Sequence, residues 1–251
     1  EGPLGLILGL SGDVGGASIT QSDQFQAQYT TEQYEEPSLF SFGVGVNAGV
    51  RLNNFYLLTG ASYITRGGRV EGRVLGINYT VGDGISPDQE PDDDQEVFIE
   101  DRTNISMLKV PVLAAYRFGG QKFAFRLSLG IAFNSMLGDA ADFEREAEWR
   151  DDIGGFVNGG RTNSDLYDGF LYGDDSRARF LPSTISFIFN PSLVFQIKKN
   201  SHIKIGVLYE SFGDISNDRF SRGSDIVTGD QNMSYFGVQI GYEYRIEFVN
   251  Y

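Results

Sequence analysis

Residues 105–133 read ISMLKVPVLAAYRFGGQKFAFRLSLGIAF. In the first half, apolar and aromatic side chains recur at every second position, at Leu108, Val110, Val112, Ala114, Tyr116 and Phe118. After residues 119–122 (GGQK), the same period restarts at Phe123, Phe125, Leu127, Leu129, Ile131 and Phe133. A period of two residues is typical of a β-strand with one apolar face. The stretch therefore predicts a β-hairpin with a four-residue turn.

The two arms of this hairpin are long for a soluble protein, in which strands usually have about five or six residues. The hydrocarbon core of a bilayer is about 30 Å thick, and a tilted strand crosses it in roughly 9–11 residues. In such a strand the apolar side chains face lipid, while small or polar ones face the lumen of a barrel. The hairpin therefore predicts a membrane-spanning barrel.

Similar alternation recurs near residues 4–11, 41–52, 55–66, 183–197, 202–211 and 235–245, which brings the count to about eight strands. Short connections (53–54, 119–122 and 198–201) alternate with long ones (near 13–38, 67–102, 138–182 and 212–233). Short periplasmic turns and long extracellular loops are typical of bacterial outer-membrane barrels. The last strand is expected to pair with the first, because an open sheet edge is not tolerated in lipid. The sequence predicts an all-β, closed antiparallel transmembrane β-barrel, one domain over residues 1–251, in the bacterial outer membrane.

Composition narrows the classes of partner. The formal net charge of −14 leaves no basic stripe to neutralise phosphates, which argues against binding of nucleic acid. The chain contains no cysteine, so cysteine nucleophiles and cysteine metal sites are excluded, and we expect no cofactor. Glu1 stands where an unprocessed chain has methionine, from which we expect removal of a signal peptide. The expected surroundings are outer-membrane lipid and lipopolysaccharide.

Charged residues also fall on the inward side of the predicted strands. By parity they are Arg51, Arg66, Lys109, Arg117, Arg126, Lys204, Glu210, Glu243 and Arg245. The interior of an eight-stranded barrel is just wide enough for side chains to fill. We therefore expect these charges to pair and fill the lumen, with a pore or ligand channel as the alternative.

The long loops provide two further candidate sites. The carboxylates Asp92, Asp93, Asp94 and Glu96 could bind calcium but lack the spacing of a dedicated calcium loop, so no metal site is predicted. The connection 138–182 carries Phe143, Trp149, Phe156, Tyr167, Phe170 and Tyr172, which form either a partner-docking surface or a small core of their own. Residues 140–150 are predicted to form a short helix, because Phe143, Ala147 and Arg150 would share one side.

Three motifs resemble a known family. Residues 63–68 (YITRGG) are similar to its Y-S-x-K-G-G, residues 107–111 (MLKVP) to its Y-L-E-I-P, and residues 207–215 (VLYESFGDI) to its x-x-R-Y-x-x-G-L-x-x-I. The family is the PorT-like group of small outer-membrane barrels of Bacteroidota. The resemblance implies an eight-stranded barrel and, for some members, a link to type IX secretion; it implies no catalytic residues. This chain departs from the pattern at Lys109, where the family has a lumenal glutamate, and in its two long acidic loops.

Catalysis is disfavoured, because no nucleophile and base converge in the predicted fold. His202 is the only histidine, and it lies beside a short turn, away from the long loops. We therefore expect a non-enzymatic barrel that acts as a structural or interaction subunit of an envelope complex, with a protein partner. The alternatives are a narrow channel and a surface barrel for ligand binding or adhesion.

Overall fold

The computed structural model describes residues 4–21, 34–75, 91–92, 94–150, 156–162, 183–215 and 231–248. Within them lie nine strands: β1 (Leu4–Gln21), β2 (Leu39–Leu52), β3 (Phe55–Leu75), β4 (Glu96–Gly119), β5 (Phe123–Arg150), β6 (Phe156–Thr162), β7 (Ser183–Lys198), β8 (Ser201–Asp214) and β9 (Gln231–Phe248). No helix in this described part of the chain is long and apolar enough to cross a membrane.

Eight of the nine strands form a closed antiparallel ring in the order β1, β2, β3, β4, β5, β7, β8, β9. The ring closes between the first and last strands, which pair from Leu4 with Phe248 through to Gln21 with Gln231. Closure gives every strand of the wall two hydrogen-bonded neighbours, which is the condition for a sheet in hydrocarbon. The predicted barrel of eight strands is confirmed.

The outward side chains form an apolar band around the wall. On β4 the band runs from Leu108 to Phe118, and along β5 it includes Phe125, Leu129 and Phe133, all of them exposed. Eleven residues at about 3.3 Å each, in a strand tilted by roughly 40°, span about 28 Å, close to the 25 Å band of known barrels. This height matches the hydrocarbon core of a membrane.

Aromatic rings concentrate where the band meets the periplasmic interface. Phe55 and Tyr116 have ring centroids 4.8 Å apart, Tyr116 and Phe118 4.6 Å, and Phe118 and Phe125 6.1 Å. At the opposite border, the hydroxyls of Tyr63 and Ser106 lie 3.0 Å apart. Aromatic rings at both borders are typical of membrane barrels.

Side chains of the preceding strands bind the carbonyls of the three short turns. Arg51 Nε donates to the carbonyl of Asn53 at 2.7 Å, and Arg117 Nη2 donates to that of Gly120 at 2.6 Å. Gln196 Nε2 donates to the carbonyl of Lys199 at 2.9 Å. Asn53 has φ 55°, a left-handed conformation that asparagine tolerates in a two-residue turn. These bonds satisfy turn carbonyls that the sheet leaves unpaired.

The strands continue beyond the boundaries predicted for all four long loops. β1 reaches Gln21, β3 reaches Leu75, β4 begins at Glu96 and β8 reaches Asp214, while β9 begins at Gln231. The sequence prediction identifies strands by apolar side chains on the outward face. That pattern holds only inside the membrane. Farther out the alternation inverts, because water lies outside: Arg69 and Arg73 are partly exposed, while Val70 and Val74 are buried.

The largest departure lies in the predicted loop 138–182. β5 runs without a helix to Arg150, and β6 returns along it, pairing Trp149 with Val157. The predicted helix is wrong, because residues 146–149 alternate between exposed and buried side chains with the two-residue period of a strand. Ala147 and Trp149 are buried. Glu146, which precedes them, and Glu148, which lies between them, are exposed.

Residues 69–75 of β3, 96–102 of β4, 144–150 of β5 and all of β6 form a four-stranded sheet above the barrel, which we call the extension. It begins above a break in the register of β4 and β5, where the five residue steps on β5 from Met136 to Ala141 lie opposite two steps on β4 from Met107 to Ile105. Its inward face has its own hydrophobic core, made of Val70, Val74, Val97, Ile99, Ala147, Trp149 and Val157. The extension is therefore a folded structure outside the membrane.

The position of the apolar band can be tested with two leucines of similar exposure. Leu129→Arg, in the middle of the band, should reduce the free energy of unfolding by about 2–4 kcal/mol, because the guanidinium enters hydrocarbon. Leu75→Arg, on the outward face of the extension, should change it by less than about 0.5 kcal/mol. Urea unfolding in lipid vesicles measures both. Equal losses of unfolding free energy in the two variants would show that the assigned position of the apolar band is wrong.

Candidate functional site in the barrel lumen

All nine charged residues assigned to the lumen from the sequence are buried, with at most 8% of the surface of any of them exposed. They divide by height. Arg51 and Arg117 lie at the periplasmic end, where they bind the turns, six others meet in two clusters, and Lys204 lies between those clusters. The extracellular cluster is Asp13, Arg66, Lys109 and Glu210; the periplasmic cluster is Arg126, Glu243 and Arg245.

Glu210 is the centre of the extracellular cluster. Its carboxylate accepts hydrogen bonds from Lys109 Nζ at 3.1 Å and from Ser186 Oγ at 2.7 Å, and Arg66 Nη2 lies 3.7 Å away. Arg66 also donates from Nη2 to Asp13 Oδ1 at 2.8 Å. Asn134 Nδ2 donates to Ser186 Oγ at 2.9 Å, which orients that hydroxyl. Each carboxylate in this cluster therefore has a cationic partner.

The bonds of this cluster cross the lumen. β3, which carries Arg66, and β8, which carries Glu210, are four places apart in a ring of eight and therefore lie on opposite sides. The guanidinium of Arg66 lies 3.6 Å from the centroid of the Tyr235 ring and donates to the carbonyl of Phe42 at 2.9 Å. One arginine side chain thus links several strands across the interior.

A glycine makes room for this arrangement. Gly43 pairs with Asp13 between β2 and β1, and a Cβ at position 43 would come within 2.5 Å of Asp13 Oδ2. Any larger residue would displace the carboxylate that binds Arg66. The small residues on one side of the wall therefore complement the long cationic side chains that reach from the other.

The periplasmic cluster is built around Glu243. Arg126 binds it with two hydrogen bonds, from Nη1 at 3.0 Å and from Nη2 at 2.5 Å, and Arg245 Nη2 lies 3.7 Å from its Oε2. The guanidinium carbons of Arg126 and Arg245 lie 5.5 and 5.7 Å from the centroid of the Tyr56 ring. Paired, hydrogen-bonded carboxylates of this kind suit bracing of the barrel better than transfer of protons.

Lys204 lies between the two clusters and differs from the other cations. Its ammonium donates to Asn190 Oδ1 at 3.1 Å and to Gln239 Oε1, both of them neutral oxygens. It borders a lumenal cavity of about 50 Å³ that is also lined by Lys109, Arg126, Asp13 and Glu243.

Sequence reasoning missed several members of this site. Asp13 falls in the predicted first loop, yet it continues the inward parity of Gly9 and Ser11 along β1, and this parity is the signal that identifies it. Charge parity does not identify Ser186, Asn134 and Gln239, because their side chains are uncharged. The sequence also contained no sign that the three family-like motifs meet, yet Arg66, Lys109 and Glu210 each come from a different one.

The structure places the candidate residues of the long loops in different environments. Trp149 is buried in the core of the extension, so for this residue the small-core alternative holds. Asp92 and Asp94 are exposed, and Glu96 binds Arg73 at 2.6 Å; within the described residues no group of three or more potential metal ligands occurs. The described residues do not include Asp93, Tyr167, Phe170 and Tyr172. The side chains of Phe143 and Phe156 are also not described.

The closed ring, its apolar band and its charged, filled lumen define an outer-membrane β-barrel, whose outward side chains contact lipid and lipopolysaccharide. The chain belongs to the outer membrane protein beta-barrel domain family, whose model matches residues 12–173. A search of curated proteins found no match.

Solved structures of similar barrels include Neisserial surface protein A (NspA), with 12% identity and a TM-score of 0.38, covering 96% of this chain and 97% of that one. Ail, the attachment invasion locus protein of Yersinia pestis, has 11% identity and a TM-score of 0.34, covering 97% and 99%. The outer membrane protease OmpT from Escherichia coli has 8% identity and a TM-score of 0.35, covering 96% and 97%. Likeness at this level carries no information about function.

The periplasmic cluster should make a measurable contribution to stability. Arg126→Met leaves the buried carboxylate of Glu243 without its bidentate partner and should cost about 3–5 kcal/mol of unfolding free energy. Arg126→Met combined with Glu243→Leu should recover much of that loss. The control is Arg73→Met, which breaks a half-exposed pair with Glu96 and should cost at most about 1 kcal/mol. Urea titration would contradict this role if Arg126→Met and Arg73→Met reduced the free energy of unfolding by the same amount.

Proposed function

We propose that this protein is a non-enzymatic outer-membrane barrel that serves as an interaction subunit of an envelope complex, with the extension as its docking element. The observation that supports this most directly is the separate hydrophobic core of the extension. A barrel needs only short connections to close, so a four-stranded sheet with its own core above the membrane exceeds what membrane insertion requires. Rigid elements position binding residues more precisely than loops do.

The outward face of the extension carries ordered ion pairs beside an exposed aromatic ring. Arg69 Nε lies 3.0 Å from Glu100 Oε1, and Arg102 Nε lies 2.6 Å from the same oxygen. Beside these ion pairs, Phe98 is exposed, and its register partner Glu148 is exposed as well. An exposed aromatic ring framed by ordered charges is a pattern that favours recognition of a protein partner.

The lumen supports a bracing role over catalysis. The carboxylates of both clusters are bound by cations, and the bonds run between strands across the ring. His202 is buried on β8 next to the periplasmic turn, at the opposite end from the extension. A catalytic site would require a nucleophile and an accessible base in one place.

We further propose that the complex belongs to the envelope machinery linked to type IX secretion. The support is the PorT-like resemblance, and all three of its motifs supply residues to the extracellular cluster. Where the family pattern has a glutamate, this chain has Lys109, and the partner of Lys109 is the carboxylate of Glu210. The charge that Lys109 brings into the lumen is therefore paired within the extracellular cluster.

The docking role can be tested with a photo-crosslinking amino acid placed at position 98 or 148 in the protein at native expression. Both positions should yield a crosslink to one envelope protein, identified by mass spectrometry, because they face outward side by side on β4 and β5. Gln121, in a periplasmic turn, is the matched control and should yield no crosslink to that protein. A crosslink to a soluble or host ligand would favour the adhesion alternative, and the absence of any crosslink would refute the docking role.

A narrow channel is the second candidate, and the observation that favours it is the polar cavity between the two clusters. If the ion pairs separate, this cavity could join the two ends of the lumen. The pairs as arranged fill the interior, which supports the bracing role instead.

Planar-bilayer recordings separate these two functions. The bracing role predicts no discrete conductance from the wild-type barrel, because the paired side chains occupy the lumen. Conductance that is present in the wild type and lost in Glu210→Gln, but retained in the extension variant Arg73→Met, would establish the channel instead. Glu210 is the residue to change, because two cations and one hydroxyl meet at it.

A further inference from the structure

We propose that the cavity between the extracellular and periplasmic clusters binds a small inorganic anion of the halide class, held by Lys204, Lys109 and Arg126. All three cationic side chains line this cavity of about 50 Å³. All three are buried, with 8%, 4% and 0% of their surfaces exposed. This site is independent of the docking role of the extension.

The first argument is the pairing of charges. Arg66 pairs with Asp13, Lys109 with Glu210, and Arg126 with Glu243. Of the three cations that line the cavity, Lys204 remains, and the hydrogen-bond partners that the described residues give it are the amide oxygens of Asn190 and Gln239. A buried ammonium without an anionic partner carries a large desolvation cost. A bound anion would remove that cost.

The second argument is the balance of donors and acceptors around the cavity. An ammonium has three N–H donors. Lys204 uses two of them on amide oxygens, and Lys109 uses one on Glu210. Arg126 Nε is buried without a hydrogen-bond partner among the described residues.

Three of the four carboxylate oxygens on the cavity lining accept hydrogen bonds from arginine side chains. Both oxygens of Glu243 accept from Arg126, and Oδ1 of Asp13 accepts from Arg66. The three cationic side chains on the lining outnumber its two carboxylates, Asp13 and Glu243, which favours an anion over a metal cation.

The third argument is size. A cavity holds one water when its volume exceeds roughly 10–15 Å³ on the same measure. A volume of about 50 Å³ accommodates a halide with a neighbouring water but excludes a sugar, peptide or lipid head group. Wall residues with small side chains, Ser11 and Ser62, leave this space open beside the long cationic side chains.

Bromide replaces chloride and scatters X-rays anomalously, so it is the probe for this site. Crystals of the full barrel grown in bromide should show an anomalous peak in the cavity within contact distance of Lys204 Nζ. In detergent, bromide should raise the midpoint of unfolding in a saturable manner relative to gluconate at constant ionic strength. At ten times its dissociation constant, the anion should raise the ratio of folded to unfolded protein about tenfold.

Lys204→Met should abolish both the peak and the saturable shift, since its side chain has similar length without the charge. Lys199→Met, which removes an exposed lysine of a periplasmic turn, should leave both unchanged. If Lys204→Met fails to fold, the wild-type diffraction experiment decides alone. A cavity that contains water oxygen without anomalous signal, or a bromide effect that Lys199→Met also removes, would overturn the proposal.

Discussion

The structure depends on one constraint: inside a bilayer, every backbone N–H and C=O must find a partner within the protein. A sheet satisfies this only when its first and last strands pair, and here β1 and β9 do so over their whole length. Closure with eight strands sets the width of the lumen, because the diameter of a barrel follows the number of its strands. Everything inside the wall must then fit a space about as wide as the side chains that fill it.

That space explains why the interior is charged and yet closed. Long cationic side chains reach across the lumen from β3, β4 and β5, and carboxylates on β1, β8 and β9 meet them. Small residues such as Gly43 provide room on the opposite wall. Lys204 lies between the two clusters, and its hydrogen-bond partners in the described part of the chain are neutral. The cavity is therefore lined by a cation without a paired carboxylate among the described residues.

Above the membrane the same strands obey a different rule. Water replaces lipid outside the wall, so polar residues turn outward and apolar residues turn inward along one continuous strand. On β3 the change occurs between Tyr63, which faces outward in the band, and Arg69, which faces outward in the extension. β5 crosses the boundary at an irregularity in its pairing with β4, after which Ala147 and Trp149 join the second core.

The alternating hydropathy by itself determined the barrel, its eight strands, its short turns and the inward side of nine charged residues, because a strand in lipid must alternate with a period of two. It did not determine the extension: the inverted alternation of residues 69–75 and 146–149 resembles an ordinary polar loop until its neighbours are known. Nor did it determine the partners of the charges. Arg66 and Glu210 are far apart in the chain and meet only because closure places β3 opposite β8. Parity along one strand assigns a side chain to the lumen, whereas the contacts across the lumen depend on ring order and register, which belong to the tertiary structure.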